Sequence, residues 1–127
     1  MFKKILAIDD ELDTLTFYSE VLEDENYLPI TAVNGQEGLD KAREHRPDLI
    51  ILDIMMPEKG GMKTYKELKK DPDLKDIPVI VITGISKMVD FKSLMNRGST
   101  GNIPPAGHLV KPHNADELIK AIREVLG

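Results

Sequence analysis

The sequence predicts an α/β fold in which a parallel sheet of five strands is covered by helices on both faces. Short apolar runs, several rich in β-branched residues, alternate with segments whose apolar residues recur at helical spacing. Most of these runs stop at a polar residue, as buried strands of a parallel sheet do. Repetition of the strand–helix unit predicts right-handed crossovers and a doubly wound (βα)5 sheet with strand order 2-1-3-4-5.

Five segments are predicted as strands. They cover residues 4–8, 28–33, 48–53, 78–82 and 108–110. The second segment carries Pro29 near its start. Proline cannot donate to a ladder hydrogen bond, so we expect this strand to lie at an edge of the sheet.

Five helices are predicted after these strands. They cover residues 11–25, 35–45, 62–70, 86–96 and about 115–126. The apolar residues of the first helix are expected to face the sheet, and they are Leu12, Leu15, Val21 and Leu22. Asn114, with Glu117 three residues later, predicts a capping box at the start of the last helix.

The composition is that of one globular domain, which we expect to span residues 1–127. A formal net charge of −5 argues against nucleic-acid binding as the main function. The absence of cysteine excludes disulfides, thiolate metal sites and cysteine nucleophiles. The chain has neither a signal-peptide pattern nor an apolar stretch of membrane-spanning length, so a cytoplasmic location without membrane insertion is expected.

Polar side chains follow four of the predicted strands where each one ends. Asp9 and Asp10 follow the first strand, Asp53 ends the third, and Thr83 and Lys111 follow the fourth and fifth. The carboxyl ends of parallel strands meet at one edge of a sheet, so we expect these groups to lie together. Crowded carboxylates favour a divalent cation such as Mg2+, and a carboxylate can attack phosphorus. The ammonium and the hydroxyl would then neutralise charge on a phosphoryl group.

Taken singly, each of these residues has a simpler interpretation. Asp9 and Asp10 could be N-cap residues of the first helix, where carboxylates are favoured. Thr83 could cap the helix that follows it, and Asp53 could be a turn residue. Lys111 could be an ordinary residue at the end of its strand. The joint pattern favours function, since five fitting polar residues stand at four strand ends.

These motifs resemble those of a response-regulator receiver domain, of the single-domain chemotaxis-regulator type. The resemblance covers essentially the whole chain and implies a flavodoxin-like fold. It is carried by Ile8-Asp9-Asp10-Glu11, Leu52-Asp53-Ile54-Met55-Met56-Pro57 with Gly61, Val81-Ile82-Thr83-Gly84 and Val110-Lys111-Pro112.

The resemblance implies a role for each matching residue. Asp53 matches the phosphoacceptor, which receives a phosphoryl group from a histidine kinase or a histidine phosphotransfer protein in the presence of Mg2+. Asp10 matches a direct metal ligand and Asp9 an acid that helps to position the metal, while Met55 matches a ligand that binds through its backbone carbonyl. Thr83 and Lys111 match the hydroxyl and the ammonium that bind the phosphoryl group.

The resemblance also implies how the protein signals. The Lys111-Pro112 bond is usually cis in this family. The only reactions expected of such a domain are its own phosphorylation and autodephosphorylation, as part of a two-component phosphorelay. The chain ends soon after its last predicted helix, so we expect no output domain and an output through contact with a downstream protein. The alternative is that this chain is a receiver cut from a longer protein.

Two features depart from the family pattern. His108 stands three residues before Lys111, where the family usually carries an aromatic switch residue. One hypothesis is an altered, pH-sensitive switch, and the alternative is a half-exposed strand residue without a switching role. Residues 98–107 form an insertion rich in Gly and Pro, which predicts a loop. It could serve a partner or be a tolerated surface insertion, and it leaves the oligomeric state open.

Other functions that use similar motifs fit less well. A haloacid-dehalogenase-type phosphatase needs a second acid two residues after the nucleophile, where this chain has Met55. The P-loop and dinucleotide-binding glycine motifs are missing from the sequence. The remaining alternative is a pseudo-receiver that binds partners without phosphorylation.

Overall fold

A computed structural model of the protein describes residues 2–56, 60–84, 105–111 and 113–127. These residues form a parallel sheet of five strands in the order β2-β1-β3-β4-β5. The strands are β1 (Lys4–Ile8), β2 (Leu28–Ala32), β3 (Leu49–Asp53), β4 (Val79–Gly84) and β5 (Gly107–Lys111). The predicted fold class, the strand order and the edge position of the strand that carries Pro29 are therefore confirmed.

Four helices lie within the described ranges. They are α1 (Leu12–Asp24), α2 (Gly35–His45), α3 (Gly61–Lys70) and α4 (Ala115–Leu126). The helix predicted over residues 86–96 lies outside the described residues, as does most of the insertion at 98–107. Within the described ranges, none of the helices has the length and apolar character needed to cross a membrane.

The helices pack on both faces of the sheet, and alternate strand residues enter two separate cores. On one face, α1 and α4 pack against Ile5, Ala7, Ile51, Ile80 and Ile82. On the other face, α2 and α3 pack against Leu6, Ile8, Ile50, Leu52 and Val81. Each fully buried Leu, Ile or Val side chain contributes about 1.5 to 3 kcal/mol to the free energy of unfolding. Because both faces are covered, the central strands β1, β3 and β4 are apolar along their length and turn polar only at their ends.

Strand β4 is longer than the sequence predicted. The apolar run stops at Ile82, but Thr83 pairs with Val110 of β5, and Gly84 pairs with Lys111. The ladder therefore continues for two residues beyond the apolar run, because backbone pairing does not depend on an apolar side chain. This extension brings Thr83, Gly84 and Lys111 to the same edge of the sheet.

One of the predicted apolar positions of α1 is wrong. Leu15, Val21 and Leu22 are buried, as expected, but Leu12 is 68% exposed. Leu12 is the first residue of α1, which begins just beyond the carboxyl end of β1. The buried residues of α1 begin one turn later, at Leu15, so helical spacing alone does not bury Leu12.

Side-chain caps fix the start of two helices. Asn114 accepts a hydrogen bond from the N–H of Glu117 at 2.9 Å, and Glu117 accepts one from the N–H of Asn114 at 3.2 Å. The predicted capping box of α4 is therefore confirmed. Asn34 caps α2 in the same way by accepting a hydrogen bond from the N–H of Glu37 at 2.8 Å. Such caps contribute about 1 kcal/mol each.

Gly61 lets α3 approach the end of β3 closely. It is buried at the start of α3, and a Cβ there would overlap the Cα of Ile54 and the carbonyl oxygen of Asp53. Both of these atoms belong to the backbone, so they cannot move aside as a flexible side chain would. The close approach therefore requires glycine, and it fixes the segment that follows Asp53.

We predict that Gly61→Ala lowers the free energy of unfolding by about 1 to 3 kcal/mol, because the added methyl group overpacks against backbone atoms. The matched control is Gly107→Ala, since a Cβ there would lie at ordinary contact distances of 3.5 Å from Ile80 and 3.8 Å from Val125. The control should be neutral or slightly stabilising. Urea unfolding of both variants measures the difference, and equal effects would contradict the close-approach explanation.

Candidate functional site

The carboxyl ends of four strands converge at one edge of the sheet. Strands β1 and β3 are neighbours, with Ile8 beside Leu52, so Asp9 and Asp53 follow at adjacent positions. Strand β4 adds Thr83, and β5 adds Lys111 beside Gly84. The structure thus brings together the strand-end groups that the sequence predicted.

Three carboxylates form a cluster at this edge. Oxygen atoms of Asp9, Asp10 and Asp53 all lie within 4.8 Å of one another. Asp9 and Asp53 are buried, whereas Asp10 is exposed. This set of hard oxygen donors fits Mg2+, which is typically held by one or two carboxylates with water and phosphate oxygens completing its shell. The exposed Asp10 leaves one side of the cluster open to solvent, from which a cation can enter.

Lys111 lies between the two buried carboxylates. Its ammonium is 3.0 Å from Oδ2 of Asp53 and 3.4 Å from Oδ2 of Asp9. Partial burial alone would lower the pKa of Lys111, but the hydrogen bond and charge of Asp53, aided by Asp9, raise it above its ordinary value. The side chain is therefore an ammonium ion at neutral pH, and it points at the predicted phosphoacceptor.

Backbone amides orient the two buried carboxylates. The N–H of Glu11 donates to Oδ1 of Asp9 at 2.9 Å, and the N–H of Met55 donates to Oδ1 of Asp53 at 2.8 Å. Each carboxylate is thus held by the turn that leaves its own strand. The N-cap interpretation of Asp9 and Asp10 is wrong, since the N-cap of α1 is Glu11, which makes no side-chain cap hydrogen bond.

Burial and the nearby charge of Asp53 raise the pKa of Asp9 from its ordinary 3.8 to about 6, although the hydrogen bond from Glu11 and the charge of Lys111 oppose the shift. The side chain is completely shielded from solvent. A charged carboxylate in this position loses its hydration and lies close to a second carboxylate. Ionised Asp9 therefore destabilises the folded protein unless a cation binds.

Thr83 is fully buried at the end of β4. Its hydroxyl donates to the carbonyl oxygen of Gly84 at 3.2 Å. The hydroxyl thus has a local backbone partner in this arrangement. The interpretation of Thr83 as a helix cap involves residues 86–96, which lie outside the described residues.

The side chain of Met55 makes a contact that the sequence does not predict. Its thioether Sδ accepts a hydrogen bond from the N–H of Gly84 at 2.9 Å. Nothing in the local sequence indicates this contact, because it joins the turn after β3 to the end of β4 across the sheet. The predicted role of the Met55 backbone carbonyl as a metal ligand stays a prediction.

A second feature that the sequence does not predict is an aromatic cavity beside Lys111. The cavity has a volume of about 350 Å3, and its lining includes Phe17, Tyr18 and His113. The Tyr18 and His113 rings stack with centroids 6.0 Å apart, and the Tyr18 hydroxyl is 3.5 Å from Nε2 of His113. Burial raises the pKa of Tyr18 and lowers that of His113. Both rings are therefore uncharged at neutral pH.

The predicted roles of His108 and Pro112 stay predictions. His108 is exposed on β5, where it pairs with Val81, and its switching role stays a prediction. The predicted cis bond of Pro112 lies outside the described residues.

Comparison with known proteins identifies relatives along the whole chain. A family model for the response regulator receiver domain matches residues 5–123. The polar-differentiation response regulator DivK of Brucella anthropi is 34% identical over 127 residues, which are 100% of this chain and 98% of that protein. DivK of Brucella ovis is 32% identical over the same length, with the same shares covered.

Solved structures give the same result. The chemotaxis response regulator CheY4 of Vibrio cholerae is 32% identical, with a TM-score of 0.80 over 98% of this chain and 99% of that one. The signal receiver domain of a signal transduction histidine kinase from Syntrophus aciditrophicus is 30% identical, with a TM-score of 0.81 over 98% and 91% of the two chains. These likenesses extend over the sheet and the edge that carries the carboxylates.

The raised pKa of Asp9 predicts a pH-dependent effect of Asp9→Asn. The folded protein binds a proton on Asp9 below about pH 6, whereas the unfolded chain does so only near 3.8. The charged form thus lowers the free energy of unfolding above pH 6, and this loss disappears as the pH falls toward 4. Without divalent cations, we expect Asp9→Asn to raise the free energy of unfolding by about 1 to 3 kcal/mol at pH 7.5, and by progressively less at lower pH.

Urea unfolding in EDTA between pH 4.5 and 8 measures this difference. The matched control is Asp13→Asn, which changes an exposed carboxylate in the first turn of α1. It should differ from the unsubstituted protein by only about 0.5 kcal/mol, with a similar pH profile. A destabilising Asp9→Asn effect of constant size across this pH range would contradict the explanation by buried charge.

Proposed function

This chain belongs to the response regulator receiver family of two-component systems, and from that premise we propose that Asp53 accepts a phosphoryl group from a histidine kinase or a histidine phosphotransfer protein. Receiver domains are generally signalling modules rather than enzymes. We propose that residues 1–127 act as one such module and that phosphorylation changes a surface recognised by a downstream protein.

The observation that supports this proposal most directly is the environment of Asp53. Its carboxylate is buried and is held by the Met55 amide and by the Lys111 ammonium, at 2.8 Å and 3.0 Å. Asp10 leaves the neighbouring cluster open to solvent. A nucleophile that is oriented, paired with a cation and adjacent to an open edge is suited to phosphoryl transfer.

The proposed reaction exchanges one bond to phosphorus for another. A carboxylate oxygen of Asp53 attacks the phosphorus of a phosphohistidine, a P–O bond forms, and the P–N bond breaks. The electron pair of that bond returns to the imidazole of the donor, which takes up a proton. Autodephosphorylation is the attack of water on the same phosphorus, which releases inorganic phosphate and regenerates the Asp53 carboxylate.

Lys111 and Thr83 are proposed to bind the transferred group. The Lys111 ammonium already lies 3.0 Å from Asp53, so it can neutralise charge on the phosphoryl oxygens without a large movement. Thr83 donates to a backbone carbonyl, and we propose that its hydroxyl turns to a phosphoryl oxygen when one is present. That rotation would couple phosphorylation to the end of β4. The proposal includes His108 on the adjacent strand as a switch residue.

The receiver family typically uses Mg2+, and the carboxylate cluster fits this ion by its donor chemistry. We propose Asp9, Asp10, Asp53 and the backbone carbonyl of Met55 as the residues that hold it. When bound, the ion offsets the negative charge shared by the carboxylates and the phosphoryl group. The fall in repulsion also favours the ionised form of Asp9.

Partners follow from the family. Receiver domains of this kind interact with histidine kinases and with downstream targets. We propose that this chain acts in the cytoplasm, through protein contact rather than through nucleic acid, with its oligomeric state left open. The complete set of acids, hydroxyl and lysine does not favour the alternative of a phosphorylation-independent module.

Phosphorylation is tested by intact mass after incubation with acetyl phosphate and Mg2+. We expect a gain of one phosphoryl group that disappears in Asp53→Asn and in EDTA. The matched control is Asp40→Asn, which removes an exposed carboxylate from α2 and should leave the labelling intact. No gain under conditions that label a known receiver would contradict the proposal.

Replacement of Lys111 should slow phosphorylation rather than remove the acceptor. We expect Lys111→Met to lower the initial rate by about tenfold or more, since one charged donor to the phosphoryl group is lost. Lys111→Arg should recover part of the rate, while the exposed-surface control Lys120→Met should keep all of it. Quenched samples analysed by mass measure these rates. If Lys111→Met is as fast as Lys120→Met, then Lys111 has no part in the transfer.

A further inference from the structure

A weak hydrogen-bond acceptor lies at the edge of the Asp53 site. The thioether of Met55 accepts the N–H of Gly84 at 2.9 Å, yet the Met55 side chain is 44% exposed. Its neighbour Met56 is buried in the core at 5% exposure. Met55 therefore combines a contact inside the site with access to small solutes in the surrounding water.

The Gly84 N–H donates to sulfur because β3 ends before the hydrogen-bond ladder between β3 and β4 reaches Gly84. The carbonyl of Ile82 accepts the N–H of Ile54 at 3.0 Å, so Ile82 faces β3. Backbone groups two residues further along a strand point to the same neighbour, so the N–H of Gly84 also points toward β3. Strand β3 stops at Asp53, and the Gly84 N–H donates to the Met55 thioether instead of to a ladder carbonyl. The thioether takes this position, although sulfur is a weak acceptor.

A phosphoryl group on Asp53 would compete for the same amide. Asp53 pairs with Ile82 in the sheet, and the N–H of Gly84, two residues further along β4, points toward the turn that follows Asp53. The Gly84 N–H is therefore close to where phosphoryl oxygens would lie. An anionic oxygen accepts a hydrogen bond more strongly than a neutral thioether does. The phosphoryl group can thus displace the sulfur at little cost.

We propose that Met55 is an oxidation site through which peroxide slows the phosphorylation of Asp53, an inference that rests on the proposed phosphoacceptor function. The sulfur gives an electron pair to one oxygen of hydrogen peroxide, an S–O bond forms, and the O–O bond breaks. The other oxygen leaves as water, so the sulfur is oxidised and the peroxide is reduced.

The sulfoxide changes the contact in two ways. Its oxygen is a polar acceptor, so it competes for the Gly84 N–H more strongly than sulfur does. It also adds an atom where sulfur and nitrogen are only 2.9 Å apart, so the side chain must shift within the site. Both effects oppose the entry of a phosphoryl group. Reduction of the sulfoxide restores the original contact.

The test compares the phosphorylation rate of each protein before and after peroxide treatment. Peptide mass mapping identifies Met55 sulfoxide, and intact mass follows labelling by acetyl phosphate and Mg2+. We expect oxidation to slow labelling of the unsubstituted protein by roughly three- to tenfold, the effect of one stronger hydrogen bond. Methionine sulfoxide reductases should restore the rate.

The matched control is Met55→Leu, compared only with its own untreated sample. This variant keeps the other five methionines, including the buried Met56, so peroxide damage elsewhere would still slow it. We expect a treated-to-untreated ratio near one. The amide NMR signal of Gly84 gives a second readout without phosphorylation, and it should move on oxidation of Met55.

Each outcome decides the question. An unchanged rate with Met55 fully oxidised would overturn the proposal, and so would an equal slowing of Met55→Leu. If Met55→Leu is not labelled at all, reductase rescue of the unsubstituted protein and the Gly84 signal decide. If untreated protein gains no phosphoryl group, the proposed function itself fails and this inference fails with it. If the untreated protein is labelled, the proposed function stands and only the inference about Met55 oxidation can fail.

Discussion

Two buried carboxylates share the Lys111 ammonium at the carboxyl edge of the sheet, and this excess of negative charge governs the rest of the site. Burial raises the pKa of Asp9 to about 6, so its ionised form at neutral pH lowers the free energy of unfolding. A bound cation relieves the repulsion and is itself favoured by it. The fold thus gives up some stability where the carboxylates cluster, as functional sites commonly do.

The topology makes this crowding possible. Strands β1 and β3 are neighbours, so Asp9 and Asp53 must leave the sheet side by side. Helices on both faces exclude water from the central strands β1, β3 and β4 nearly up to their last residues, where the polar groups begin. Gly61 lets α3 approach the turn after β3, and the Met55 amide in that turn orients Asp53. Packing far from solvent therefore determines where the Asp53 carboxylate points.

The end of β4 connects the two proposals. Thr83 and Gly84 each make a contact that a phosphoryl group would replace, one with a backbone carbonyl and the other with the Met55 sulfur. Both contacts are weak or local, so exchanging them costs little. A chemical change at Asp53 or at the Met55 sulfur would therefore act on Thr83 and Gly84. Phosphorylation of Asp53 and oxidation of Met55 would then be competing inputs to one strand end.

The sequence by itself determined the strands, the described helices and the identity of the strand-end groups, because apolar periodicity and capping residues such as Asn114 act locally. It also predicted that Asp9, Asp53 and Lys111 would meet, since parallel strands share an edge. Only the tertiary structure decided the exposure of Leu12, the Met55–Gly84 contact and the stacking of Tyr18 on His113. These features join elements that are distant in the chain, and no local pattern encodes which surfaces will meet.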